Sequence, residues 1–114
     1  MARYLKGDIV SVNFPLSSEN AFKYRPAVVM ASWDYLNSRD YLVCMVTTQD
    51  DQDPMQMEIS KSDTFGGMFQ QKCYIRPAYT FAASERKMQR KICSLKLEKL
   101  NAIREVLHGL IDQE

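Results

Sequence analysis

For its first two-thirds the chain is a succession of short apolar runs, each closed by proline, glycine or a polar cluster, and a helical repeat appears only near its end. Residues 7–14 (GDIVSVNF) alternate, with Val10, Val12 and Phe14 on one face and Ser11 and Asn13 on the other, the period of a half-buried strand. Pro15 closes that strand because it cannot donate to a ladder. Residues 16–24 (LSSENAFKY) read as a polar loop, and residues 25–32 (RPAVVMAS) as a strand buried on both faces. Residues 33–39 (WDYLNSR) are compatible with one helical turn. Residues 40–48 (DYLVCMVTT) form the most apolar stretch and are expected to be the central strand. After an acidic loop (49–54), residues 55–59 alternate again, Gly66-Gly67 marks a turn, and residues 71–81 read as a further strand in which Cys73 and Ile75 alternate with Tyr74 and Arg76. Residues 84–92 (SERKMQRKI) fit either a short helix or a basic strand. From Ser94, read as an N-cap, Leu97, Leu100, Ile103, Val106, Leu107, Leu110 and Ile111 recur at helical spacing. Many strands followed by one helix predict an α+β protein, mainly β: a small curled sheet capped by a helix.

A chain of 114 residues, 46% apolar and 25% charged, has room for one globular domain, here residues 1–114. It has no apolar run of the ~20 residues that a membrane helix needs and no apolar segment behind its N-terminus, so a cytoplasmic protein is expected. Cys44, Cys73 and Cys93 are odd in number and widely spaced, which argues against a disulfide framework. No CxxC or HxxxH spacing occurs, so no metal site is expected. The single histidine, His108, falls near the end of the predicted helix, where a structural role fits an imidazole. The net charge of +1 confines any nucleic-acid contact to a local patch.

The opening KGDIVSVNFP, followed after a polar loop by KYRPAVVM, resembles the PemK/MazF-like toxin family. The carrying residues are Gly7, Asp8, Ile9, Val10, Phe14 and Pro15, then Arg25, Pro26, Ala27, Val28 and Val29. VCMVTTQ places Thr47 where the family ends its next strand in threonine, CYIRP (73–77) resembles a later arginine-bearing strand, and residues 92–107 resemble the closing strand and helix. The resemblance implies a small, strongly bent antiparallel β-barrel of the CcdB/PemK/MazF type with a C-terminal α-helix. It implies the toxin of a type II toxin-antitoxin system: a homodimer, blocked by a cognate antitoxin, that cleaves single-stranded RNA as a sequence-selective endoribonuclease without metal or other cofactor. A non-cleaving member serving as a binding module, and a CcdB-like inhibitor of DNA gyrase, are the alternatives.

By the same resemblance Arg25 and Thr47 are the catalytic candidates. A guanidinium forks onto phosphate oxygens and stays charged at cellular pH, which suits stabilisation of a phosphorane but not the role of base. Thr47 would orient the phosphate through its hydroxyl. Arg76 matches a second active-site arginine of the PemK branch, but the acid two residues on in that branch is Ala78 here, and its later Arg-Thr pair is replaced by Phe81-Ala82. Glu19, in the loop before Arg25, is the substitute acid suggested by the MazF branch. Lys23, Arg76, Arg86 and Lys87 are candidate RNA-backbone contacts, with Arg90 and Lys91 extending the basic run. Tyr24 and Tyr79, with Phe22, are candidate stacking platforms for unpaired bases. Trp33 is read as core or dimer interface.

Overall fold

The computed structural model describes residues 3–15, 22–50, 52–67, 69 and 71–113. Seven strands, β1 (Asp8–Pro15), β2 (Phe22–Tyr35), β3 (Ser38–Thr47), β4 (Met57–Ile59), β5 (Thr64–Phe65), β6 (Cys73–Ser84) and β7 (Met88–Leu95), precede one helix, α1 (Leu97–Ile111). All pairings are antiparallel, in the order β4-β6-β3-β2-β1-β7-β5. β4 and β5 thus lie at opposite edges, yet only residues 60–63 separate them in sequence. Laid flat, seven strands would hold their edges about 29 Å apart. The five Cα steps from Ile59 to Thr64 span at most ~18 Å even when fully extended. The sheet must therefore bend strongly. This is the expected mainly-β architecture, although the pairings among the described residues stop short of closing a barrel.

Bending places apolar residues on both faces. One cluster, including Ile9, Val28, Cys44, Val46 and Ile75, is covered by Leu100 and Ile103 of α1. The other, including Val10, Val12, Val29, Tyr41 and Val43, lies on the opposite face. Register shifts between Ile9 and Val10, Val29 and Ala31, and Cys44 and Met45 provide the local kinks. In β6 the shift leaves residues 77–79 without partners on β3, where Pro77 has no N–H to offer.

The Gly7-Asp8 pair proves to be a structural tie. Gly7 sits at φ 91°, its N–H donating to Val29 O (2.8 Å) and its carbonyl accepting from Leu95 N (2.8 Å), so it bridges β2 and β7. The buried Asp8 carboxylate accepts from Leu5 N (2.9 Å) and Ser94 Oγ (3.0 Å), and Lys91 Nζ lies 3.3 Å away. One expectation is corrected here. Ser94 belongs to β7 and serves Asp8; the residue at the helix N-cap is Lys96. Lys91, its side chain still 47% exposed, is also the ion-pair partner of this buried acid.

Other boundaries also moved. β2 begins at Phe22 and runs through Tyr35, so residues 22–24 are strand, and residues 33–39 form a β-hairpin rather than a helical turn. Tyr35 pairs with Ser38, and Leu36 takes the left-handed φ (55°) that two-residue hairpin loops require. The middle of the sheet is β2, with β3 beside it. Residues 85–87 form a single 3-10 turn and residues 88–92 are strand, so both readings of 84–92 hold in part. His108 is exposed on α1. The three thiols are free and buried; burial pushes Cys44 up to about 12 and Cys93 to about 11, leaving both protonated and poorly nucleophilic at neutral pH.

Replacing Asp8 with Ala removes a carboxylate that holds three groups, two of them from β7. Urea denaturation is expected to show a loss of about 2–3 kcal/mol with an unchanged m-value. A loss below ~0.5 kcal/mol would mean that the tie contributes little.

Candidate active site

Cross-strand register places a row of polar side chains on the sheet face opposite α1. Val12 on β1 lies opposite Arg25 on β2. Ala27 lies opposite Met45, so Arg25 and Thr47, two residues further along each strand, share that face. Thr47 in turn lies opposite Tyr74 on β6, and Tyr74 opposite Glu58 on β4. Arg25 and Thr47, more than twenty residues apart in sequence, line one open groove of about 330 Å³ together with Lys23, Tyr24, Pro26, Val46, Thr48 and Gln49. That volume is at the small end of the ~300–1,000 Å³ typical of ligand clefts. Tyr24 is 50% exposed and Lys23 is also exposed. The Thr47 hydroxyl oxygen accepts from Gln49 N–H (3.1 Å). With that lone pair engaged, its own O–H is oriented to donate elsewhere.

Arg76 shares this face, opposite Met45. Its guanidinium stacks on Tyr79, 3.9 Å from the ring centroid, and both Nε and Nη2 lie 3.5 Å from Asp53 Oδ2. At 3.5 Å this is an ion pair rather than a short charge-assisted hydrogen bond. The side chains of Arg76 and Asp53 are only 16% and 14% exposed. Asp53 Oδ1 accepts from Met55 N (2.9 Å), which holds the carboxylate within its own loop. The kink at 77–79 is what brings Tyr79 back over Arg76. Tyr79, 48% exposed, thus has one ring face occupied by a cation.

Other candidates stand apart. Arg86 lines a different groove, with Asp34, Leu36, Asn37, Ser38, Arg39 and Glu85, that shares no lining residue with the groove of Arg25. Lys87 is exposed on the same 3-10 turn. Glu85 of that turn accepts the hydroxyl of buried Tyr41, whose pKa burial and this bond raise. Glu19 lies outside the described residues, as does the side chain of Phe22. Trp33 is exposed on β2. Among the described residues no cluster of three His, Cys, Asp or Glu side chains is placed to hold a metal ion, and no helix is long and apolar enough to cross a membrane.

Sequence reasoning passed over Asp53, Glu58 and Tyr74. The alternation of Tyr74 and Arg76 against Cys73 and Ile75 was the available signal for Tyr74. Asp53 gave none, because its partner lies 23 positions away.

A mycobacterial-species endoribonuclease, solved in complex with its cognate antitoxin, matches this structure with a TM-score of 0.70 over 97% of both chains at 12% identity. At that identity the likeness establishes the fold. Comparison with curated proteins finds no match. The family model for the PemK-like, MazF-like toxin of type II toxin-antitoxin systems matches residues 5–111. That span takes in the Gly7-Asp8 tie, all seven strands, the groove of Arg25 and Thr47, and the last residue of α1, and the chain belongs to the PemK-like, MazF-like toxin family.

Proposed function

We propose that this chain is a toxin that cleaves single-stranded RNA, sequence-selectively and without a metal, in the groove between β2 and β3. The supporting observation is that folding brings Arg25 and Thr47 to one groove, with the Thr47 hydroxyl preset by Gln49 N–H. Phosphodiester cleavage by the neighbouring 2′-hydroxyl develops negative charge on the non-bridging oxygens. A guanidinium and a hydroxyl donor fixed beforehand meet that charge without reorganising. Arg25 contacts the scissile phosphate and Thr47 donates to one of its oxygens. The products are a 2′,3′-cyclic phosphate and a 5′-hydroxyl end. Lys23 offers the adjoining phosphate a cation, and Tyr24 presents a half-exposed ring for an unpaired base. Arg76, stacked on Tyr79, flanks the same face; Arg86 and Lys87 have no part in this groove. The protein works in the cytoplasm as a homodimer and is blocked by a cognate antitoxin.

One feature favours a second reading, a binding module that does not cut. Position 78, where the PemK branch carries an acid, is an alanine exposed on the unpaired stretch of β6.

Incubation of a long end-labelled single-stranded RNA with the protein in EDTA is expected to give discrete fragments with 5′-hydroxyl ends. Arg25→Ala is expected to cut at least ~10²-fold more slowly. Absence of cleavage across varied sequences would contradict the nuclease and favour the binding module. Thr47→Val is expected to lower kcat about 10-fold with little change in KM, as for a contact made mainly in the transition state. A rise in KM alone would assign Thr47 to ground-state binding.

A further inference from the structure

Arg25 and Thr47 handle charge, but the reaction also needs a proton for the departing 5′-oxygen. Arg25 cannot exchange its proton at cellular pH. Position 78 carries only a methyl group. Of the described carboxylates on this face, Asp53 is engaged with Arg76 and Glu58 with Lys72 (3.0 Å). Between Glu58 and Thr47 stands Tyr74, its Cα directly opposite both. Residues so paired are ~4.5–5.5 Å apart at Cβ, so the half-buried phenol shares the face on which a phosphate held by Arg25 and Thr47 would sit.

We propose that Tyr74 is the general acid of the cleavage that the preceding section assigns to this groove, on which this inference rests. The 2′-oxygen forms its bond to phosphorus while the P–O5′ bond breaks and its electron pair stays on O5′. O5′ takes the phenolic proton of Tyr74, and the 2′-hydroxyl proton passes to solvent water. Water then reprotonates the phenolate. The direction follows from acidity. A phenol is a stronger acid than an alcohol, so a proton passes downhill from it to a departing alkoxide. Lys72, two residues back on the same face, is ion-paired to Glu58 (3.0 Å), the residue directly opposite Tyr74. Its ammonium offsets the charge left on the phenolate. A phenylalanine-like packing role would need neither the hydroxyl nor this neighbour.

The test uses a short RNA spanning a site mapped with the wild type, made with either oxygen or sulfur at the bridging 5′ position. A thiolate leaves without a proton. In single-turnover reactions Tyr74→Phe is expected to be at least ~10²-fold slower than wild type on the oxygen linkage and within ~3-fold of it on sulfur. Equal slowing on both linkages, or none on either, overturns the assignment. A wild type that cuts no RNA removes the nuclease reading and this inference together; a wild type that cuts beside an indifferent Tyr74→Phe removes this inference alone. Tyr74→His keeps a ring and a transferable proton, which guards against a folding defect of the Phe variant. It is expected to stay within ~10-fold of wild type on oxygen, with the rate falling as pH rises through ~6.5. A pH profile identical to that of wild type would also overturn the proposal.

Discussion

Four residues, Ser60 to Asp63, join the two edge strands of a seven-stranded sheet, and the rest of the structure follows from that short tether. It forbids a flat sheet, so the strands must twist, kink and curl until β4 and β5 come within its reach. The tether is itself well fixed. The Asp63 carboxylate accepts from Ser60 N (2.8 Å) and Ser60 Oγ (3.0 Å), and Lys99 of α1 lies 3.5 Å away. Burial pushes the Asp63 pKa up, but these hydrogen bonds and the lysine outweigh it and leave the carboxyl below its ordinary value. The Asp63 carbonyl also accepts from Lys96 N (2.8 Å), at the N-cap of α1. One turn thereby brings the edges together and docks the helix over the face it covers.

The curl also decides where chemistry is possible. Over residues 27–30 of β2 and 41–46 of β3, the two strands carry apolar side chains on both faces. Near the end of the ladder they share, the same face turns polar, and Arg25, Thr47, Tyr74 and Arg76 succeed Val29 and Val43. With a net charge of +1 the whole molecule exerts little long-range attraction on a polyanion. Under the proposed function, recognition of RNA falls to a few cations held in place. The two arginines differ in how this is achieved. Arg76 is braced by Tyr79 and Asp53, whereas Arg25 is placed by strand register beside a hydroxyl whose direction the backbone sets.

Much of this was legible in the residues. The alternation in residues 7–14 and 71–81, the doubly apolar run after Arg25 and the repeat in α1 follow directly from side-chain periodicity. The resemblance resting on GDIVSVNFP and RPAVV named the fold and singled out Arg25 and Thr47. What escaped notice depended on distant partners. Residues 33–39 carry no glycine, so a hairpin with Leu36 in the left-handed region looked like a helical turn; the ladder to β3 overrides the local preference. Ser94 has the composition of a cap but is drawn to Asp8, 86 positions away. Arg86 and Lys87 looked continuous with the other candidate contacts, and the 3-10 turn directs Arg86 to the groove beside the β2–β3 hairpin. Tyr74 acquires meaning only from the register that sets it opposite Thr47.

The central claim is that RNA is cut in the groove of Arg25 and Thr47 by its own 2′-hydroxyl. The most direct measurement replaces that hydroxyl with a methoxy group at a single mapped scissile nucleotide and follows cleavage at that position. Cleavage there should disappear while binding of the substituted RNA and cutting at other sites persist. Continued cleavage at the substituted position would show that water or another nucleophile attacks the phosphate, and would contradict the assignment of roles to Arg25, Thr47 and Tyr74.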